Sequence, residues 1–541
     1  MTAPNATLMI GYLGPGGAER QIGYLASGLV EAGWKVAILA FSLNDDGAHF
    51  AQSLVARDIP LHALDQPDPL FRAPGLLLRL GLAAPLLHSL PDEIRTEVVK
   101  ALAFFMNTRP ELVVCYLDRV NIVGGLAAML AGVPRILVSG RNLNPTHMPY
   151  LDRPWFRDLY RFLLASPAVT LMANSHAGAR SYEHWLGLAH ACVPVIHNGL
   201  AEDALPPPMP DQVAAVRAEL GLDALAPLVL GVFRLSPEKR PAVFFGLIER
   251  LRRDFPDLHA IVAGTGIAFD DMRQSLSASG QDSFIHLLGR RSDMPALFQA
   301  ADLMLHVSEA EGVPNAVMEA QWLGCPVVGT LGGGTAEILT RVQQPYFHPL
   351  DAIDAVHASC VALLADPARR RHLGEAARDE ARGRFSLRLL VEHTLALARR
   401  PMPPALSPIR RGRFGPAAMA ATLRLWLQIQ QPRRRLRRLR HLLRKPYQGC
   451  VTDIGHDQDR CYLAPVPAYL TSDETGRSHL RLFEDGHSLG PPHVAHTEIR
   501  AQGNGRYSHW GQWLYFSASD DTDPRANGRV YTMTEVLDDD D

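Results

Sequence analysis

The stretch Ser308-Glu309-Ala310-Glu311-Gly312-Val313-Pro314-Asn315-Ala316-Val317-Met318-Glu319-Ala320 decides how the chain is read, with the turn Gly332-Gly333-Gly334-Thr335 and Glu337 that follow it. One acidic residue, Glu311, stands in a Gly/Pro loop, and a second, Glu319, falls in the first turn of the next predicted helix. Two carboxylates can then converge on one ligand beside a helix N-terminus. Carboxylates accept hydrogen bonds from vicinal hydroxyls, while free backbone N–H groups and the positive helix end attract a diphosphate. Such a pair suits a sugar nucleotide, although two glutamates flanking a helix start are also an ordinary solvated capping arrangement. The order of their companions along the chain favours the ligand.

Upstream, an apolar strand at 228–233 runs into Arg234-Leu235-Ser236-Pro237-Glu238-Lys239-Arg240. Two cations across a turn after a buried strand suit a diphosphate, Arg234 for forked contacts and Lys239 as a point charge. Strands at 259–263, 285–289 and 303–307 continue the alternation. The chain begins the same way, with a strand at 7–13, the turn Gly14-Pro15-Gly16-Gly17-Ala18-Glu19-Arg20, a helix to about residue 32 and a strand at 34–40. Gly16 and Gly17 let the backbone approach a phosphate, and the helix behind them offers its first amides. Further on, a strand at 112–117 opens a helix through Asp118, Arg119 and Asn121, and one at 135–138 leads into Ser139-Gly140-Arg141-Asn142. Those two polar loops stand at adjacent strand ends, where a ligand or an ion pair between domains or at the surface would engage Arg119 and Arg141. The alternation predicts an α/β fold with parallel sheets and a ligand at the carboxyl ends of the strands.

These residues resemble the E-x7-E element of retaining glycosyltransferases of the GT-B fold, above all glycosyltransferase family 4. The resemblance covers about residues 7–400. It implies two Rossmann-like domains facing a cleft, with Glu311 beside the donor sugar, Glu319 on the ribose hydroxyls, and the Gly16-Gly17 turn over the donor phosphates. Arg234 and Lys239 match the cations of the family's GRLxxxKG signature, although Phe233 replaces its first glycine and Arg240-Pro241 its last. Gly289 and Arg290 fall near the nucleotide base, Gly312 and Asn315 within the donor site, and Gly333 and Thr335 where backbone amides reach phosphate. Leu117, Arg119, Asn121, Ser139, Arg141 and Asn142 match an acceptor-side pattern of one branch, with Gly140 where an acidic residue is frequent. Residues 193–200 resemble the segment that closes the first domain, and His197 reads as a substitution for its usual proline rather than as a base.

The activity implied is retaining transfer of a hexose or N-acetylhexosamine from a UDP-linked donor to a glycan or lipid-linked acceptor, in surface polysaccharide or glycolipid assembly. Glu311, Arg234 and Lys239 are the expected catalytic residues, and no metal or other cofactor is expected. A GT-B epimerase or phosphorylase, and a noncatalytic glycan-binding scaffold, are the alternatives.

Length and composition set outer limits. The 541 residues, 47% hydrophobic, suffice for several domains. With 54 basic against 56 acidic residues, no global field points to nucleic acid. Six cysteines without CxxC spacing fit a reducing compartment, and neither a secretory signal nor a membrane span is apparent, so a cytoplasmic protein is expected. The expected boundaries are 1–202 for the acceptor-side domain, 203–400 for the nucleotide-sugar domain, 401–446 for a linker and basic amphipathic helix, and 447–541 for a small β-rich module. Arginines around Leu436, Leu439 and Leu443 in segment 433–445 suit an anionic membrane at the inner face of the plasma membrane; packing on an acidic surface of the same protein is the alternative. In the last module His493, His496 and His509 are a weak metal candidate, its Trp and Tyr residues suit a sugar face, and no function is assigned.

Overall fold

A parallel strand covered on both faces needs apolar side chains in both directions. In β1 (Asn5–Ile10) the alternate residues Ala6, Leu8 and Ile10 enter one core of the N-terminal lobe, while Met9 enters the core on the opposite face. The structure, a computed structural model, describes residues 3–44, 48–148, 150–203, 205–223, 225–400, 448–467, 470, 473 and 478–535. With β1, the strands β2 (Lys35–Ala40), β3 (Leu61–Ala63), β4 (Leu112–Tyr116), β5 (Arg135–Gly140) and β6 (Val169–Ala173) form a parallel sheet in the order β3-β2-β1-β4-β5-β6.

The second lobe repeats that order. Its strands are β7 (Leu228–Val232), β8 (His259–Ala263), β9 (Ile285–Gly289), β10 (Leu303–His306), β11 (Val327–Thr330) and β12 (Phe347–His348), arranged β12-β11-β10-β7-β8-β9. Both faces are again covered, Leu228 and Leu230 lying in one core and Val229 in the other. These are the two Rossmann-like lobes of a GT-B fold.

The helix Leu387–Ala398 leaves the second lobe and packs on the first. Leu390, Val391, Leu395, Leu397 and Ala398 share a core with β1 and the helix Gly17–Glu31. Leu200 N–H donates to Phe385 O at 2.7 Å and Leu387 N–H to Leu200 O at 2.8 Å, so the outgoing and returning strands of the crossover are stitched together.

The second unit has its own architecture. Strands β13 (Gln448–Cys450), β14 (Gly455–Gln458), β15 (Cys461–Pro465), β16 (Leu480–Glu484), β17 (His487–Ser488), β18 (Tyr507–Trp510), β19 (Trp513–Phe516) and β20 (Tyr531–Glu535) form two antiparallel sheets, β13-β20-β16-β17 and β14-β15-β19-β18. Val451, Leu482, Leu514, Phe516 and Met533 are among the residues of its core. The linker and basic helix expected over 401–446 lie outside the described residues. No helix among the described residues is long and apolar enough to cross a membrane.

Candidate active site

In an open parallel sheet a crevice forms where neighbouring strands send their following loops in opposite directions. Each lobe has one such point. In the N-terminal lobe it lies between β1 and β4, so the Gly16-Gly17 turn and the loop opening at Leu117 diverge there. In the second lobe it lies between β7 and β10, which carry the Arg234–Lys239 turn and the loop of Glu311. Two cavities, of about 230 and 490 Å³, occupy the space between these loops, and Gly17, Phe233, Arg234, Lys239 and Asn315 line both.

Lys239 Nζ donates to Glu311 Oε1 at 2.5 Å, and both side chains are largely buried. Burial pushes the Glu311 carboxyl up, but the Lys239 ammonium, His306 and hydrogen bonds from Lys239 and Ser308 outweigh it and hold the group below its usual value. His306 ends β10 beneath this pair, its Nε2 4.0 Å from Glu311 Oε1, and that buried nitrogen has no hydrogen-bond partner. Burial pushes its imidazole down to about 4, so it is neutral at physiological pH. An unpartnered nitrogen facing a polar cavity is a ready partner for a substrate hydroxyl.

Arg234 Nη2 donates to Glu238 Oε1 at 2.6 Å and to Tyr150 Oη at 3.0 Å, reaching from the second lobe to the first. Glu319 and Arg290 line the larger cavity. Arg20, from the helix behind the Gly16-Gly17 turn, forms an ion pair with Glu319 Oε1. The glycine turn is needed for closeness, because a Cβ on Gly17 would run into the Asn315 amide. Glu19 bends back over Gly16; burial raises its carboxyl above the ordinary value, against hydrogen bonds from the Glu19 and Ala18 amides.

Of the residues expected on the acceptor side, Arg141 lines the smaller cavity, stacks its guanidinium 4.2 Å from the Tyr116 ring centroid, and bonds to Asn198 Oδ1. Asn198 Nδ2 in turn donates to Asn315 Oδ1 at 2.6 Å, so a chain of polar contacts crosses the cleft. The other acceptor-side expectations fare differently. Asn121 is fully buried, its amide donating to Ser139 O at 2.9 Å and Tyr160 Oη at 2.8 Å while accepting from Ser139 N–H at 3.1 Å. Its hydrogen bonds tie the helix Asp118–Ala131 to β5, which corrects its assignment to substrate. Arg119 is engaged by Glu97 at 2.8 Å and Glu93 O at 2.7 Å, the ion-pair alternative. Asn142 accepts from Leu143 N–H at 2.9 Å, and neither it nor Arg119 is in the lining of the two cavities.

Two amides of the triple-glycine turn bond within the protein. Gly334 N–H donates to Glu311 O at 3.0 Å and Thr335 N–H to Gly332 O at 3.1 Å, while Thr335 Oγ1 donates to Gly332 O at 2.6 Å. These amides are therefore spent within the protein, and neither Gly333 nor Thr335 lines either cavity. The turn packs against the 308–312 loop, where Cβ atoms on Gly332 and Gly333 would overlap the carbonyls of Ser308 and Glu311. It positions Glu311. Gly312 lies at the seam between lobes, and Gly289 contributes its carbonyl to Gly264 N–H at 2.8 Å rather than lining a cavity.

Sequence reading did not single out Arg20, His306, Asn174 or Asn198. Asn198 lies in the segment 193–200 that resembles the closure of the first domain, and Asn174 directly follows the end of β6. His306 lies within an otherwise apolar strand, a signal that was available.

In the second unit the three histidines do not converge. His493 Nδ1 bonds Asp473 Oδ1 at 2.6 Å, His509 bonds Ser478 and Gly511, and His496 stacks on Tyr515 with centroids 3.8 Å apart. The six thiols are free, with Cys115, Cys325, Cys360 and Cys461 buried.

Family models described as "Glycosyltransferase Family 4" and "Glycosyl transferases group 1" match residues 15–203 and 213–380, one on each lobe. Over this span the chain belongs to the family 4 glycosyltransferases. The Salmonella typhi Vi polysaccharide biosynthesis protein VipC/TviE is 26% identical over 352 residues, 61% of this chain and 60% of the relative. A Segniliparus rotundus D-inositol 3-phosphate glycosyltransferase is 28% identical over 208 residues, 37% of this chain and 46% of its own length. The chain thus spans about half to three fifths of these curated relatives. Among solved structures, Anabaena HepE in complex with UDP and glucose aligns at 23% identity with a TM-score of 0.57, over 73% of this chain and 99% of that one. That likeness concerns the fold.

Proposed function

We propose that the chain is a retaining glycosyltransferase that moves a hexose or N-acetylhexosamine from a UDP-linked donor to a glycan or lipid-linked acceptor, in surface polysaccharide or glycolipid assembly. The observation that carries this reading is the Lys239–Glu311 pair, set with Arg234 at a strand switch point where two cavities join. Relatives named for polysaccharide biosynthesis and glycosyl transfer, and a fold neighbour holding UDP and glucose, support it.

The groups present define a mechanism. Departure of a nucleoside diphosphate builds negative charge on the leaving oxygen, and prepositioned cations lower the barrier when they stabilise that charge more than the bound ground state. Arg234 and Lys239 line both cavities and are assigned to the diphosphate, with the sugar in the smaller cavity and the nucleoside in the larger. Donor binding draws Lys239 away from Glu311 and Arg234 away from Glu238. Glu311, freed and kept ionised, positions the sugar through its hydroxyls, and Glu319 keeps one oxygen on Arg20 and offers the other to the ribose. No metal is required for that charge. Segment 433–445, outside the described residues, is assigned to an anionic membrane surface.

Thermal-shift titration with UDP, GDP, ADP and their sugar conjugates, on the wild type and on Lys239→Ala, tests the donor site. A shift with the UDP series that vanishes in the variant is the expected result. No shift with any nucleotide would favour the glycan-binding scaffold, and turnover of a UDP-sugar without an acceptor would favour an epimerase.

A further inference from the structure

Beside the donor cavities, the seam between the lobes brings together three side chains that the transfer chemistry does not use. His176 opens the helix Ser175 caps, His197 stands in the segment that follows that helix, and Glu337 belongs to the 3-10 turn Thr335–Ile338 of the second lobe. One ring nitrogen from each histidine and one carboxylate oxygen all lie within 4.8 Å of one another. His197 Nε2 is 3.3 Å from Glu337 Oε2, and ligand atoms about 2.0–2.2 Å from a tetrahedral zinc ion are themselves separated by roughly 3.3 Å. The two imidazole rings meet edge to face, at 71° with centroids 5.9 Å apart, and do not stack flat against each other.

The carboxylate is already oriented. Glu337 accepts the N–H of His176 at 2.6 Å and of Ala177 at 2.8 Å, and its backbone carbonyl accepts from Arg384 at 3.0 Å. Ligating carboxylates are held by such outer contacts in metal sites, which fix the lone pair that faces the ion. Two imidazoles and one carboxylate form a ligand set that suits zinc, with a fourth position left for water.

We propose that His176, His197 and Glu337 bind a divalent transition metal ion, with zinc the best fit, that ties the N-terminal lobe to the second lobe. The two histidines come from the first lobe and the glutamate from the second, so only the closed arrangement completes the site. Asn174 and Asn198, which line the smaller cavity, lie two residues and one residue from the ligands in the chain. The ion is a clamp on lobe closure, distinct from the charge stabilisation assigned to Arg234 and Lys239. Because it binds the closed state alone, it favours that state by mass action. The proposal goes beyond the transferase reading, and its test reads metal binding without any donor or turnover.

The experiment uses the untagged full-length chain, dialysed against chelator, and titrates zinc by calorimetry and cobalt(II) by visible absorption. The expected result is one equivalent bound per chain at this site, with a cobalt spectrum of low coordination number. In His176→Ala and His197→Ala the affinity falls by about tenfold or more, since a lost ligand costs no less than a lost outer contact. His176→Ala is the decisive variant because the ring is exposed, and its metal-free melting temperature should match the wild type. Unchanged affinity and spectrum in folded His176→Ala would overturn the assignment and move the ion elsewhere, for example to the paired His259 and His286, whose nitrogens are 3.1 Å apart. Absence of any cobalt spectrum in the wild type would overturn it equally.

Discussion

Lys239 and Arg234 line the same two cavities, yet their surroundings predict different penalties when each is removed. Lys239 is 17% exposed and its partner Glu311 10%, so Lys239→Ala leaves a buried carboxylate without its cation. Breaking such a pair costs about 3–5 kcal/mol. The variant should melt lower and show no shift with UDP. Arg234 is 49% exposed, and its surface pairing with Glu238 is worth about 1 kcal/mol at most. Arg234→Ala should therefore melt close to the wild type while binding UDP about ten- to a hundredfold more weakly, the worth of a charge-assisted hydrogen bond. A full UDP shift in Arg234→Ala would remove that residue from the donor site. His306 makes a pH-dependent prediction at the same scale. An unfolded imidazole takes up a proton near pH about 6.5, whereas the folded group, pushed down by burial, does so only at about 4. The unfolded state thus binds more protons between these values, so the stabilisation is complete above the upper one and is lost as the pH falls through the window. At pH 5 the loss from this group is about 2 kcal/mol. Urea unfolding at pH 7.5 and 5.0 should show a shallower pH dependence for His306→Gln than for the wild type; equal slopes would mean that His306 takes up its proton normally in the folded protein. Pairings of this kind were not legible in the sequence. Arg20 and Glu319 stand 299 residues apart, and Asn198 and Asn315 stand 117 apart. No local period connects them; only the facing of the two lobes does.

At the scale of elements, the turns were legible because each combines glycine or charge with a preceding apolar strand, and that pattern has few other uses. Arg240 shows the limit of reading by resemblance. It replaces a family glycine, and the structure keeps the left-handed backbone that glycine would supply, with φ at 54° and ψ at 51°. Its guanidinium donates to Leu350 O at 3.0 Å, which anchors the strained residue. The segment between β2 and β4 was harder to read. Its strand β3 has three residues, and the helix Leu76–Ser89 is nearly uniformly apolar, so neither offers a period. The loop 308–312 yields a prediction about closure. A Cβ on Gly312 would come within 2.5 Å of Arg141 O and 2.6 Å of Asn174 Oδ1, both on the opposite lobe. Neither lobe's own core is touched. Gly312→Ala should hold the cleft slightly open, destabilise by about 1–3 kcal/mol through overpacking, and weaken donor binding more than unfolding requires. Small-angle scattering with and without UDP would check this: compaction on UDP binding equal to that of the wild type would show that the seam accommodates the methyl group.

At the scale of the whole molecule, packing divides the chain differently from the order of its residues. The helix Leu387–Ala398 follows the second lobe in sequence and belongs to the first lobe's core, which makes residues 3–400 one interlocked unit. The remaining described residues have a separate core, and none of its members comes from the transferase lobes. The β-rich character of this module was legible from its Gly/Asn/Asp turns, whereas its pairing was not. β13 pairs with β20 and β16 pairs with both β20 and β17, so strands at opposite ends of the module meet. Short strands carry no signal that distinguishes such partners from sequence neighbours. Separate cores predict separate unfolding. Phe516 is fully buried in the second core, and Phe516→Ala should cost that unit about 3–5 kcal/mol. Calorimetry of the wild type should show two transitions, of which UDP raises only the one belonging to the two lobes. Phe516→Ala should lower the other transition and leave the UDP-dependent shift intact. A single transition lowered as a whole by the substitution would instead mean that the two units unfold together, and the module would then have to be counted as part of the transferase.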